Sequence, residues 1–217
     1  MIRLESVSKI YHTRNGKEKR VLDDVSAEFP SGRNVGVFGL NGAGKSSLIR
    51  LLSGAEKPDS GRIVRDRLIS FPLGFASVFH PHLTGRQNAR FVARVYGLPT
   101  RDVEDYVENF AELGDYFDSM VGHYSSGMLS KLAFGTCLAV DFDVYLIDEI
   151  TEVGDARFRR KALQAFRERA IRSDIIVVSH NVETIRSYCD MGAILHDGKL
   201  TFYDSVDKTI SRFLQYL

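Results

Sequence analysis

The sequence has few cysteines and no long apolar run, and both shortages restrict the class of protein. It contains two cysteines, Cys137 and Cys189, among 217 residues. Two are too few for a disulfide framework, and so few are typical of a reducing compartment. The longest apolar-rich run, residues 132–140, is far too short to cross a bilayer. The first residues also lack the apolar core of a signal peptide. We therefore expect any role at a membrane to depend on a partner.

An excess of one charge is also missing. The chain has 29 lysines and arginines against 28 aspartates and glutamates, so its net charge is +1. Because nucleic-acid-binding domains normally carry a basic excess, we expect no nucleic acid partner. The hydrophobic content of 44% is ordinary for a globular protein. The length suffices for one compact α/β domain, with or without a small subdomain.

The strongest pattern present is a phosphate-binding loop. Residues 39–46 match the sequence G-x-x-x-x-G-K-[ST] at every fixed position, between a predicted buried strand and a predicted helix. Glycines let the backbone approach a phosphate closely, and amides at a helix N-terminus attract anions. Lys45 is expected to reach the β- and γ-phosphates, and the Ser46 hydroxyl is expected to bind Mg²⁺. We assign nucleotide binding to Gly39, Leu40, Asn41, Gly42, Ala43, Gly44, Lys45, Ser46 and Ser47.

Two further predicted strands end in polar residues that suit the same chemistry. Asp148 and Glu149 follow an apolar segment, and His180 follows another. In P-loop proteins the aspartate at such a strand end holds Mg²⁺, and the next glutamate can polarise an attacking water. Because ligands lie at the C-terminal edge of parallel sheets, His180 is expected to reach the same phosphate. We predict that Lys45, Glu149 and His180 are catalytic. Solvated acids and a structural histidine are the alternatives.

Two candidates stay open on the residues alone. Tyr11 lies in a predicted antiparallel sheet, where it is equally an ordinary sheet residue or a platform for a purine base. Residues 124–128 read Tyr-Ser-Ser-Gly-Met and begin a predicted helix. Ser125 and Gly127 at its N-terminus suit a second anion site, although serine caps begin many helices.

Two predicted helices interrupt the alternation of strands and helices. They cover about residues 86–96 and 100–110, with Thr100 as the expected cap of the second. We assign residues 86–140 to a helical subdomain. Residues 1–85 and 141–217 then form a nucleotide-binding core with an antiparallel β subdomain.

The order of these motifs resembles the ABC ATPase superfamily across nearly the whole chain. Residues 39–46 resemble Walker A, and Asp148 with Glu149 resembles Walker B with its catalytic glutamate. The other counterparts are the signature motif (residues 124–128), the D-loop aspartate (Asp155), the switch histidine (His180) and the adenine-stacking aromatic residue (Tyr11). The resemblance implies an α/β P-loop NTPase fold with an ABC-type core. It also implies ATP and Mg²⁺ as ligands and ATP hydrolysis as the reaction.

Departures from the usual pattern point to a branch of that superfamily. Three signature positions differ from Leu-Ser-Gly-Gly-Gln, and no glutamine occurs near Phe75, where the Q-loop is expected. The signature and residues 83–91 resemble the ATPase subunits of bacterial capsular polysaccharide exporters. The O-antigen and teichoic acid exporter ATPases are similar and are the nearest alternative. The ATPase of another ABC transporter, such as an importer or a small-molecule exporter, is a further one.

The resemblance also implies an assembly. Two copies would form a head-to-tail homodimer, with each ATP between one copy's phosphate loop and the other's Ser125 and Gly127. The conformational change of the dimer would be transmitted to an integral membrane permease subunit. The polysaccharide cargo would contact that subunit, and its interaction with this chain would be only indirect. The chain would then lie peripherally on the cytoplasmic face of the bacterial inner membrane. A soluble ABC ATPase acting on ribosomes or DNA is a further alternative, which the near-neutral charge disfavours.

Overall fold

The computed structural model describes residues 1–12, 16–72, 79–148, 155–179 and 181–216. They form two compact units. The sheet unit takes its described residues from 1–72, 143–148 and 173–216, and the helical unit takes its described residues from 79–142 and 155–172. In chain order the elements are β1 (Ile2–His12), β2 (Glu18–Phe29), β3 (Val35–Phe38), α1 (Lys45–Ser53), β4 (Ser60–Arg65), α2 (Gly85–Val95), α3 (Thr100–Ala111), α4 (Ser126–Leu138), β5 (Val144–Asp148), α5 (Ala156–Ala170), β6 (Asp174–Val178), α6 (Val182–Tyr188), β7 (Met191–His196), β8 (Lys199–Tyr203) and α7 (Val206–Phe213).

Two sheets form the sheet unit. β1 lies between β2 and β4 in an antiparallel sheet, and the second sheet has the order β5-β6-β3-β7-β8. In the second sheet β8 is antiparallel to β7, and the other neighbours are parallel. β3, β5 and β6 are almost continuously apolar because parallel strands are usually covered on both faces. A hydrophobic core that includes Leu4, Leu22, Val37, Leu48 and Leu146 joins both sheets to α1.

The strand register brings the ends of three parallel strands to one level. Val178 on β6 is the register partner of Val37 on β3 and also of Asp148 on β5. The phosphate loop follows β3 directly, so the loop and the Asp148 carboxylate leave the sheet at the same edge. Ligands of open α/β sheets bind at this C-terminal edge.

Three helices of the helical unit pack around a core of their own. Ala89 on α2, Val107 on α3 and Leu132 on α4 are fully buried in it. α5 adds Phe158, whose ring meets the Phe110 ring edge-on with 5.6 Å between centroids. Among the described helices, none combines the length and the apolar character that a membrane crossing requires.

The two units differ from the division that we expected from the sequence. Residues 79–85, 141–142 and 155–172 belong to the helical unit, whereas the predicted boundaries placed them in the nucleotide-binding core. Long-range packing explains the difference for α5. Phe158 packs on Phe110, and Lys161 Nζ donates to the Phe110 carbonyl at 2.9 Å.

Two helices, α3 and α6, differ from the predictions made from the sequence. Thr100 is the first residue of α3 rather than its cap, and Pro99 precedes it without a side-chain hydrogen bond. A capping box begins α2 instead: Thr84 Oγ1 accepts from the Gln87 amide at 3.1 Å, and Gln87 Oε1 accepts from the Thr84 amide at 3.0 Å. α6 was not expected, because its seven residues are too few to display a clear helical period.

Candidate functional site

A cleft of about 860 Å³ lies at the C-terminal edge of the five-stranded sheet. Small-molecule sites typically enclose roughly 300–1,000 Å³. Most of the predicted binding residues of the sheet unit line this cleft, namely Tyr11, Gly39, Leu40, Asn41, Gly42, Gly44, Lys45, Ser46, Ser47 and Asp148. Residues distant in the sequence therefore share one site.

The glycines of the phosphate loop are required by its geometry. Gly42 and Gly44 have φ angles of 79° and 106°, in the left-handed region that favours glycine. A side chain on Gly44 would begin 2.7 Å from Val21 Cβ, and one on Gly39 would begin 2.8 Å from the Leu195 carbonyl oxygen. The loop therefore presents bare backbone to the cleft just before α1, an arrangement that fits a phosphate group.

The Lys45 side chain folds back onto the phosphate loop. Its Nζ atom donates to the carbonyl oxygens of Gly39 at 2.8 Å and Leu40 at 3.1 Å. The ammonium group thus lies at the edge of the phosphate loop, beside the N-terminus of α1. Its positive charge and the positive end of the helix dipole both favour an anion there. Ala43 does not line the cleft, and its methyl group lies 3.3 Å from the position that a Gly39 side chain would take.

A hydrogen-bond network holds Tyr11 at the wall of the cleft. Its hydroxyl donates to Glu56 Oε2 at 2.7 Å, and Arg50 donates to both the Tyr11 hydroxyl and Glu56, at 3.3 and 3.1 Å. Lys9 pairs with the other Glu56 oxygen at 3.0 Å. Burial acts to raise the pKa of the Glu56 carboxyl, but the bonds from Tyr11, Lys9 and Arg50 outweigh it and hold that pKa below its ordinary value. Tyr11 is therefore both a sheet residue and a cleft residue.

Oxygen donors for a hard cation also face the cleft. The Ser46 hydroxyl and the Asp148 carboxylate come from α1 and β5. Mg²⁺ prefers oxygen ligands and usually takes only one or two from the protein, with phosphates and water completing its shell. Within the described ranges no group of three or more His, Cys, Asp or Glu side chains is arranged around a metal position. This donor set fits Mg²⁺ bound together with a nucleotide.

Glu149 and His180, the predicted base and switch histidine, lie outside the described residues. Residues next to them are described. Asp148 ends β5, and Ser179, which is 2% exposed, follows β6 and lines the cleft.

The helical unit contains the other predicted site residues. Ser125 is exposed and caps α4, with its hydroxyl accepting from the Met128 amide at 3.2 Å. Among the described residues, a side chain on Gly127 would meet nothing closer than Ser125 Oγ at 3.9 Å, so their packing does not require glycine there. The Tyr124 hydroxyl donates to the Tyr116 carbonyl at 2.5 Å, and burial raises the pKa of Tyr124 to about 12.

Asp155 is the N-cap of α5. One of its carboxylate oxygens accepts from the Phe158 amide at 2.9 Å, and the other pairs with Lys131 Nζ at 3.3 Å. The bond from the Phe158 amide, followed by the one from Lys131, lowers the pKa of the Asp155 carboxyl. A helix cap alone thus accounts for the aspartate at this position.

Sequence reasoning missed other cleft residues, including Lys19, Arg50 and Phe213. Helical spacing offered a signal for Arg50, which lies three residues after Ser47 and donates to its hydroxyl at 3.2 Å. Lys19 depends on strand register and Phe213 on the docking of α7, and no local pattern reveals either.

Comparison with known proteins gives a family. The profile of the ABC transporter family matches residues 22–152. The polysialic acid transport ATP-binding protein KpsT of Escherichia coli is 42% identical over 219 residues, covering 100% of this chain and 97% of that protein. The capsule polysaccharide export ATP-binding protein CtrD of Neisseria meningitidis is 46% identical over 209 residues, covering 96% of each.

A solved structure agrees on the fold. A dimeric ATP-binding cassette in a post-hydrolysis state, bound to ADP and Pi, superposes with a TM-score of 0.74 at 20% identity, covering 92% of this chain and 96% of that one. The predicted α/β class, with an ABC-type core, an antiparallel β-sheet and helices, is confirmed. From the family profile and the full-length relatives we conclude that the chain belongs to the ABC transporter family, as an ATP-binding subunit.

Proposed function

We propose that this chain binds and hydrolyses ATP to drive the export of capsular, or related lipid-linked, polysaccharide across the bacterial inner membrane. The observation that carries the ATPase part is the single cleft shared by the phosphate loop, Tyr11 and Asp148. The polysaccharide part rests on the names of the relatives, KpsT for polysialic acid and CtrD for capsule polysaccharide.

The loop and Lys45 bind the phosphates. Backbone N–H groups at the start of α1 face the triphosphate, and the helix dipole favours its negative charge. Lys45 exchanges its bonds to the Gly39 and Leu40 carbonyls for bonds to the β- and γ-phosphates. The exchange is favourable because hydrogen bonds between two charged groups are stronger than bonds to neutral carbonyls.

The remaining roles follow the chemistry of the side chains. The Tyr11 ring packs on the adenine base. Ser46 and Asp148 would hold Mg²⁺, which would neutralise negative charge on the phosphates. Glu149 polarises the attacking water, and His180 hydrogen-bonds the γ-phosphate and keeps water and base in line. A nucleotide-binding role for Asp155 rests only on its resemblance to the D-loop aspartate.

A second copy of the chain completes the site. Glycine is less favourable in a helix than alanine, by up to about 1 kcal/mol in the interior, yet the described residues leave space for a side chain on Gly127. We therefore attribute this glycine to the close approach of another molecule. Ser125 and Gly127 of one copy supply donors to the γ-phosphate bound by the other copy. A dimeric cassette of the same fold supports this arrangement.

The expected partners follow from the proposed use of ATP hydrolysis to drive export. Closure of the dimer is transmitted to a membrane permease as a conformational change. The permease contacts the polysaccharide, so the cargo interacts with this chain only indirectly. The chain lies on the cytoplasmic face of the membrane and binds no nucleic acid.

The test is complementation of a host strain that lacks the chain. Wild type and Lys208→Ala, a change of an exposed lysine on α7, are expected to restore surface polysaccharide and to co-purify a membrane permease. Lys45→Ala is expected to restore neither export nor ATPase activity. Export restored by Lys45→Ala would contradict the proposal, as would association of the chain with ribosomes rather than membranes.

A further inference from the structure

A second lysine, from the antiparallel sheet, lies close to the phosphate loop. Lys19 lies on β2 and lines the same cleft as Lys45 and Tyr11. A methyl group added to Gly42 would lie 3.1 Å from the Nζ atom of Lys19. The ammonium group therefore lies directly above the exposed backbone of the loop, at a different part of it from the Gly39 and Leu40 carbonyls that hold Lys45.

Strand register places Lys19 beside Tyr11. The two residues are direct partners in the antiparallel pair of β1 and β2. Directly opposite residues project from the same face of a sheet, and both of these line the cleft. A nucleotide with its base on Tyr11 and its terminal phosphates in the loop must run past Lys19 in between. The phosphates that lie nearest this position are the α- and β-phosphates.

The charge of Lys19 is not matched by a carboxylate in the described part of the chain. Of its neighbours on the strand, Arg20 forms an ion pair with Asp23 at 2.9 Å, and Glu18 lies 3.9 Å from His12. Lys19 is exposed, so its charge is solvated and costs little in the absence of a ligand. An anion in the loop would give this ammonium the partner that the described residues do not supply.

We propose that Lys19 is a nucleotide-binding residue that contacts the α- and β-phosphates, in addition to Lys45. This inference rests on the proposed binding of ATP in the cleft. It differs from the role of Lys45, since a contact to the α- and β-phosphates is made equally with ATP and with ADP. Loss of one exposed charge-assisted contact is expected to weaken binding about fivefold to tenfold.

Titration calorimetry of the full chain with Mg-ATP and Mg-ADP tests the proposal. Arg20→Gln is the matched control, because it removes the same charge from the next residue, which does not line the cleft. We expect Lys19→Gln to raise the Kd of both nucleotides about fivefold to tenfold, Lys19→Arg to stay within about twofold of wild type, and Arg20→Gln to do the same. The melting temperature without nucleotide should not change in Lys19→Gln.

Two results would overturn the proposal. Lys19→Gln could bind both nucleotides within twofold of wild type, or Lys19→Gln and Arg20→Gln could weaken binding equally, as a general effect of charge would. Either result leaves the proposed ATPase function intact. Failure of wild type to bind ATP would instead overturn that function, and this inference with it.

Discussion

The hydroxyl of Tyr11 donates a 2.7 Å hydrogen bond to the carboxylate of Glu56, a residue beyond the helix that follows the phosphate loop. Arg50 donates to both groups from the last turn of α1. The ring that we expect to support the adenine base is thus tied to the same helix whose N-terminus faces the phosphates. The two ends of the nucleotide site are connected through three side chains.

This connection predicts that Tyr11→Phe weakens ATP binding. The phenyl ring retains its stacking surface but loses the bond to Glu56 that fixes its position. We expect the Kd for ATP to rise about threefold to tenfold, the effect of one neutral or charge-assisted hydrogen bond. Tyr203→Phe is the control, because Tyr203 lies on β8 and does not line the cleft. Equal affinities of Tyr11→Phe and wild type would show that stacking alone positions the base.

The same network predicts a dependence of stability on pH. The folded pKa of Glu56 is lower than its ordinary value of 4.5, so its stabilising contribution is complete above that pH. The contribution is lost as pH falls through the lower, folded pKa. Glu56→Gln should therefore reduce the free energy of unfolding by about 1–2 kcal/mol at pH 7, and the difference from wild type should shrink below pH 4.5.

Urea denaturation at a series of pH values measures this difference. Glu28→Gln, on β2, is the control for the loss of an exposed carboxylate outside the network and should change the free energy of unfolding little at pH 7. A deficit of Glu56→Gln that stays constant down to pH 3 would argue against an ionised Glu56 at the centre of the network.

Gly127 supplies a prediction in which stability and activity change in opposite directions. Alanine fits at this position and favours helix, so Gly127→Ala should stabilise the isolated chain by about 0.5–1 kcal/mol. ATPase activity should fall at least tenfold, because the methyl group occupies the space that we assign to the partner's nucleotide. Gly135→Ala, in the same helix, is the contrast: its methyl group would meet Phe110 at 3.3 Å, so crowding should offset its gain in helix propensity. Full ATPase activity of Gly127→Ala would contradict the assignment.

The sequence allowed the phosphate loop and Asp148 to be predicted because their spacing is a property of local geometry. The left-handed φ of 106° at Gly44 is such a local cause, whereas the lack of space beside Val21 depends on the packing of β2. Asp148 could be predicted from its position at the end of an apolar strand. Lys19 could not be predicted, because its place over Gly42 depends on which residue of β1 it opposes.

The packing of α5 is hard to predict for the same physical reason. α5 follows a core strand in the sequence, but Phe158 and Lys161 contact residues of α3 about 50 positions earlier. No periodicity within α5 identifies its neighbours. Glu149 and His180 lie outside the described residues, so their assigned roles stay predictions.

The shared site between two copies is tested most directly by sedimentation equilibrium of Glu149→Gln, which should bind ATP without hydrolysing it. We predict a dimer in saturating Mg-ATP and a monomer in Mg-ADP. Adding Ser125→Arg to the same chain should leave the affinity of the monomer for ATP unchanged and abolish the dimer. A monomer in saturating ATP, or a dimer that persists after Ser125→Arg, would contradict the account.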